Sequence, residues 1–424
     1  MKKRIVSIWM VACMAFSFTA CGSSGNEETE VTEGTQAQEI ITAERTQLPE
    51  VLSVDMDIDY EKQVTSLCDY KGIELTINGK YDVTDEEMDK LVLSELSGCG
   101  ADLIEVTNRK KVKKDDIVNV DFSGSVDGKK MENGSATDQY LDIANNQGYI
   151  GLNPFVEGFC EPVVGAKVGS TVTGEVTFPS DYSLDETMAG KTATFTYKIN
   201  AIYEKCTDLE KIKEIAKEKD NRVDKMINEW YSKYSVTNLN ELIEFVKGYV
   251  EYQLSSQKNS DIASQVRAYM SNNCEVEIPE EYLEARLKEY FVSFEKNNLA
   301  ADESLADYLS KNDPNRTVDG VWEEERNSLK EQIRLEFIFG LIAQKEGITI
   351  DEEEFQQYVQ NVVSSNNYGF ESEEDVYNYF GAGNAENGKK YVQNLYLINK
   401  AITVVGNEAK VTIKEAEKST ETEE

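Results

Sequence analysis

Two periodicities divide this chain. From Asp116 to Tyr203 apolar and polar positions alternate, whereas from Thr207 to Val404 the apolar positions return every three or four residues. The first alternating run, Asp116-Ile117-Val118-Asn119-Val120-Asp121-Phe122-Ser123-Gly124, predicts a half-buried strand closed by a Ser-Gly break. Gly169 to Phe178 repeats the alternation and stops at Pro179, which has no N–H to give to a ladder. Thr192 to Ile202 is the third such run. Between them Phe155-Val156-Glu157-Gly158-Phe159 is short and aromatic, with helix-compatible residues after it. The pattern predicts a compact antiparallel sheet with one short helix.

Ahead of the sheet, Ile73 to Ile77 is strand-like, and Val83-Thr84-Asp85-Glu86-Glu87 is a capping box opening a helix through Met88, Leu91, Val92 and Leu96. Beyond it, Thr207-Asp208-Leu209-Glu210 predicts another capping box, and Leu239, Leu242, Ile243, Val246 and Val250 make a helical stripe. Ile278-Pro279-Glu280-Glu281 places proline at a first helical position, before Tyr282, Leu283, Leu287, Tyr290 and Phe291. Trp322 to Gln344 is a further helix with Gly347 as its stop, and helices restart at Thr349, Ser372 and Lys389. Residues 206–406 are therefore expected to be nearly all helical, and the fold class is α+β. The acids Asp351 to Glu354 lack the glycine and spacing of a calcium loop, and suit the first turn of a helix.

Composition narrows the chemistry. The 424 residues include 79 acids against 44 bases, a formal net charge of −35, so a nucleic acid would be repelled. There is no histidine, which removes Ser-His-Asp and Cys-His catalysis and His-ligated zinc. No cofactor or metal is implied. Met1-Lys2-Lys3-Arg4, the apolar stretch Ile5 to Phe18 and Thr19-Ala20-Cys21 are the parts of a secretory signal. They resemble a bacterial lipoprotein signal, which implies cleavage before Cys21 and lipid on it; Phe18 departs from the usual leucine. Ordinary secretion with Cys21 incidental is the other reading. Gly22 to Glu50 is polar and acidic, the composition of a flexible tether. Cys68, Cys99, Cys160, Cys206 and Cys274 show no C-x-x-C spacing, so they suit buried thiols with room for one or two bridges.

Four ordered blocks carry a family likeness. Val120 to Gly134, Phe155 to Phe159, Val164 to Gly169 and Val176 to Tyr182 resemble an FKBP-type peptidyl-prolyl isomerase domain in its trigger factor version. Tyr70 to Leu75 with Val83 to Glu86 is similar to the trigger factor linker. Ile278-Pro279-Glu280, Gly347 to Ile350 and Ala409 to Thr412 are similar to its C-terminal chaperone domain. No Gly-Phe-Arg-Lys segment occurs, so the resemblance implies that the ribosome-docking domain is missing and that the ribosome is not a partner.

The resulting division is a lipoprotein signal peptide at 1–20, an acidic tether at 21–68, a strand-helix linker at 69–113, an isomerase domain at 114–205, a helical chaperone domain at 206–406 and a charged tail at 407–424. Through the resemblance Phe122, Phe159, Tyr182 and Phe195 would line a proline pocket, with Phe159 as its floor. Val156 would offer its backbone N–H to the substrate carbonyl beside the proline, flanked by Phe155. Met131 and Glu132 match an aromatic-acid pair of the family, so Met131 departs from it, and Tyr140 would be a candidate for a further wall. Taken singly, each aromatic suits core packing; their joint placement favours the pocket. The implied function is isomerisation and chaperoning of unfolded or nascent secreted polypeptides containing X-Pro bonds, outside a bacterial cell membrane to which Cys21 anchors the chain. The alternative is a client-binding holdase with a weak or inactive isomerase domain.

Overall fold

The computed structural model describes residues 58–300, 303–365, 369–381 and 383–414. The expected signal segment, the lipidation site Cys21 and the tether up to residue 57 lie outside them. The chain folds as two units, Asp82–Leu254 and Met1–Tyr81 with Ser255–Glu424.

In the unit Asp82–Leu254 a six-stranded antiparallel sheet runs in the order Leu103–Glu105, Thr192–Lys205, Ile117–Val126, Lys129–Asp142, Gln147–Gly148, and Thr171–Thr177 also pairs with Thr192–Lys205. The alternation places Val118, Val120, Tyr197 and Ile199 on one buried face, packed with Leu141, Val163 and Val176. The expected short helix is a single 3-10 turn, Glu161–Val163. Lys129–Asp142, a strand of 14 residues, was not indicated by the hydropathy pattern because nearly all its side chains are exposed or half-exposed. It begins after Asp127 and Gly128, whose φ of 50° and 72° make the tight hairpin turn.

Helices Asp85–Cys99, Leu209–Ala216 and Arg222–Tyr231 belong to the same unit. Val92 and Leu96 share a core with Leu209, Ile212, Val223, Ile227, Leu242 and Val246. The amphipathic faces on either side of the sheet segment thus bury one another in one core, distinct from the core of the sheet between them. The Thr84 capping box forms as expected, Thr84 N–H donating to Glu87 Oε2 at 2.9 Å and Glu87 N–H to Thr84 Oγ1 at 3.3 Å. The cap of Leu209–Ala216 is Asp208 alone.

In the other unit helices Glu280–Asn298, Leu305–Asn312, Val318–Lys345, Glu352–Ser364, Glu373–Phe380 and Ala385–Glu408 are apolar where they meet. Pro279 caps the first of them rather than entering it. Asp351 caps Glu352–Ser364, consistent with a helix start. Two corrections concern the ends. Residues 60–66 are not tether: Tyr60 and Val64 are buried with Leu283, Leu287 and Phe337, and Val64–Ser66 pairs with Glu275–Val276. Nor is all of 407–424 a free tail, since Lys410–Lys414 lies parallel to Glu74–Asn78 and satisfies that strand's ladder.

Candidate functional site

The buried face of the sheet opens at one end into a cleft of about 1090 Å³. Its floor is Phe159, 4% exposed, at the end of the short aromatic loop that the residues after Pro154 form. Phe155 stacks on it with ring centroids 4.3 Å apart, and Phe122 and Phe195 meet it edge-on at 5.2 and 4.9 Å. Edge-to-face packing of this kind holds each ring's orientation as well as burying it. Phe122 and Phe195 come from adjacent strands, and Gly124 makes room for the latter: a Cβ there would stand 2.5 Å from the Phe195 ring. Under the floor the fully buried Tyr197 donates its hydroxyl proton to the Phe159 carbonyl at 2.7 Å. Phe178 and Tyr182, centroids 4.9 Å apart, form the opposite wall, from which Leu184 projects at 86% exposure.

Val156 is half-buried at the mouth, and its N–H finds no acceptor among the described residues. Its position is set from outside the loop by Asn146, which holds φ +49° after the strand Lys129–Asp142. Asn146 Nδ2 donates to the carbonyls of Phe155 and Val156 at 3.1 and 3.0 Å, and Asn146 Oδ1 accepts from Cys160 N–H at 3.0 Å. The Asn146 carbonyl accepts from Phe155 N–H at 3.0 Å. One asparagine thus fixes the aromatic loop at both ends, leaving an apolar cleft with an unspent N–H at its edge. Charged side chains stand only around the rim, with Lys129, Lys130, Glu132, Glu157, Asp185 and Lys191 exposed.

Of the residues singled out in the sequence, Phe122, Met131, Glu132, Phe155, Val156, Phe159, Tyr182 and Phe195 all border this cleft. Met131 is half-buried against the sheet core and supplies thioether volume; Glu132 is exposed on the rim. Tyr140 is a correction. It packs on Tyr203, centroids 5.4 Å apart, and against the Arg222 guanidinium, away from the cleft. The reason is register: Phe122 pairs with Ala136, but Val120 pairs with Gln139 and Asn119 with Tyr140. An extra residue near Asp138, itself at φ +56°, turns Tyr140 to the face of Asn119 instead of that of Phe122. Asn146, Tyr197, Phe178 and Leu184 were missed. Only the run Asn145-Asn146, rich in residues that accept positive φ, hinted at the first of them.

Comparison with known proteins places the two halves of this arrangement. Residues 108–202 match the family described as FKBP-type peptidyl-prolyl cis-trans isomerase, and residues 238–407 match Bacterial trigger factor protein (TF) C-terminus. The chain is similar to the trigger factor of Caldicellulosiruptor saccharolyticus, 27% identical over 86% of this chain and 75% of that protein. It is 30% identical to the trigger factor of Shouchella clausii and 31% identical to that of Carboxydothermus hydrogenoformans, over 71% of this chain in both cases. Those two alignments span 63% and 64% of the relatives' own lengths, less than two thirds. A solved structure titled for promiscuous substrate recognition by the trigger factor chaperone aligns with 78% of this chain and 70% of that chain at 16% identity and a TM-score of 0.40, too loosely to carry an argument.

Proposed function

We propose that the chain is a member of the trigger factor family with an FKBP-type peptidyl-prolyl isomerase domain, and that it interconverts X-Pro bonds in unfolded polypeptides while holding them as a chaperone. The observation that carries the reading is the aromatic cleft floored by Phe159 with the Val156 N–H, unpartnered among the described residues, at its edge. Rotation about an X-Pro bond is slow, tens to hundreds of seconds, because the twisted amide loses its resonance. A proline ring inserted between Phe122, Phe159, Tyr182 and Phe195 leaves water, and its planar, charge-separated amide loses solvation that the twisted amide needs less. The Val156 N–H orients the chain by binding the carbonyl beside the proline. Every 1.36 kcal/mol removed from the barrier is about tenfold in rate, so an effect of about 4 kcal/mol gives about a thousandfold without nucleophile or metal.

The test is a peptide isomerisation assay on the full chain beside Phe159→Ala and Tyr182→Ala, with near-ultraviolet circular dichroism to show that the variants fold. Activity no higher than that of folded variants would sink the isomerase reading. A second reading, a holdase with little isomerase activity, is favoured by Met131, which places a flexible thioether where the family has a ring. Suppression of client aggregation that survives complete loss of isomerase activity would select it.

The site of action in this proposal is the outer side of a bacterial cytoplasmic membrane, with lipid on Cys21 and secreted chains as clients. Its support is the run Met1 to Cys21. Metabolic labelling with an alkyne fatty acid should mark the parent and not Cys21→Ala. An unlabelled parent refutes the anchor.

A further inference from the structure

The unit that holds the helical core contains a pair of cysteines that take no part in lining the cleft. Cys68 Sγ stands 2.9 Å from Cys274 Sγ, and the Cys68 N–H donates to the same sulfur at 3.4 Å. The two residues are 206 positions apart in the chain. Their backbones are held together independently of the sulfurs. Val64 pairs with Val276 and Ser66 with Glu275 in a short antiparallel ladder, and Glu277 N–H donates to the Gln63 carbonyl at 2.8 Å. On the other side Arg334 Nη2 donates to the carbonyls of Ser271, at 2.8 Å, and of Cys274. A disulfide has its sulfurs about 2.05 Å apart, so bond formation asks for a movement of only about 0.9 Å between elements already paired.

We propose that Cys68 and Cys274 are joined by a disulfide in the oxidised protein. The two thiols give up two protons and two electrons. A disulfide oxidant, either a low-molecular-weight disulfide or a dithiol oxidoreductase in its disulfide form, accepts them and leaves as two thiols. One cysteine sulfur attacks the oxidant to give a mixed disulfide and expels the first thiol. The second cysteine then displaces the other. Cys68 is partly exposed and is the sulfur an oxidant reaches, whereas Cys274 is 1% exposed and suits the resolving role. Burial and the facing Cys274 push the Cys68 thiol above its ordinary value, so uncatalysed attack by the folded, reduced protein is slow and closure is fastest during folding or with an oxidoreductase.

The consequence follows from chain order. Residues 82–254 are inserted between the two stretches that build this unit, so its two parts meet only through non-covalent contacts across the insertion. A bond between residues 68 and 274 ties them on both sides of the insertion and restricts the unfolded chain through a long loop. The inference does not depend on isomerase activity. Cys99, Cys160 and Cys206, also buried, serve as internal controls.

The test is to refold the full chain in a glutathione redox buffer, alkylate it under denaturing conditions, digest it without reduction and identify cross-linked peptides by mass spectrometry. The expected product joins the Cys68 peptide to the Cys274 peptide, two hydrogens lighter than the sum, and the melting temperature rises by several degrees over the reduced protein. Cys68→Ser and Cys274→Ser should each lose the product and the rise, with helix content by circular dichroism unchanged. Recovery of Cys68 and Cys274 fully alkylated after refolding in the oxidising buffer overturns the proposal. So does a product in which either is joined to Cys99, Cys160 or Cys206.

Discussion

Asn146 makes the sharpest test of how the cleft works, because it touches no part of the space a substrate would fill. Replacing it by glycine keeps the φ of +49° accessible and removes three side-chain hydrogen bonds, those to the Phe155 and Val156 carbonyls and from Cys160 N–H. At about 0.5–1.5 kcal/mol net for each, the loop bearing Val156 loses roughly 2–4 kcal/mol of local stability. Asn146→Ala loses the same bonds and adds about 1 kcal/mol of strain at positive φ. The loop then samples positions in which the Val156 N–H and the Phe159 ring are misplaced, and kcat/KM for an X-Pro peptide falls by roughly 10- to 100-fold, further in alanine than in glycine. A protease-free assay, following cis and trans proline signals by nuclear magnetic resonance exchange, reads this directly. Far-ultraviolet circular dichroism reports whether the sheet remains. If both variants keep kcat/KM within twofold of the parent while Phe159→Ala loses it, the loop is held by something other than Asn146 and the reasoning is refuted.

Two further outcomes are expected. Tyr140→Ala removes one of the two rings, 5.2 and 4.9 Å from the Arg222 guanidinium, that enclose it; it should lower the melting temperature through lost packing and about 0.5–2 kcal/mol of cation–π attraction while leaving isomerase activity unchanged. A loss of kcat/KM as large as that of Tyr182→Ala would return Tyr140 to the pocket. Asp102 is buried, with Oδ2 accepting from the Tyr149 hydroxyl at 2.6 Å and Oδ1 without a partner among the described residues, and burial pushes its carboxyl above the ordinary aspartate range. The folded state therefore binds this proton more tightly than the unfolded chain, and stability is lost as pH rises from the unfolded value, about 3.9, through the folded one. Asp102→Asn should be more stable than the parent near pH 7, with an advantage that shrinks toward pH 4; melting curves across that range showing the opposite trend would contradict the assignment.

What the sequence determined by itself is whatever rests on neighbours along the chain. The alternations at Thr171–Thr177 and Thr192–Lys205 gave strands because one face of each is more buried than the other, whereas Ile117–Val126, read as half-buried from its alternation, is buried on both faces over Ile117 to Val120; the Thr84 box gave a helix start because its partner is Glu87, three residues on. Eight of the candidate site residues border one cleft, seven of them within the family blocks and Phe195 in the third alternating run, because their joint spacing carries geometry that no single phenylalanine does. Lys129–Asp142 was unreadable from hydropathy because its exposed faces leave no contrast between inside and outside, although Asp127-Gly128 is a hairpin signal in plain view. Only the tertiary structure decided the rest. One extra residue near Asp138 chose the face of Tyr140, and the hydrogen bonds of Asn146 reach 9 to 14 positions along the chain. Tyr60 and the strand Lys410–Lys414, polar enough locally to pass for tether and tail, are ordered by partners hundreds of residues away: Tyr60 donates to Asn394, and Ile413 pairs with Ile77. Such pairings depend on which surfaces the fold has already brought together, and a local pattern contains no record of that.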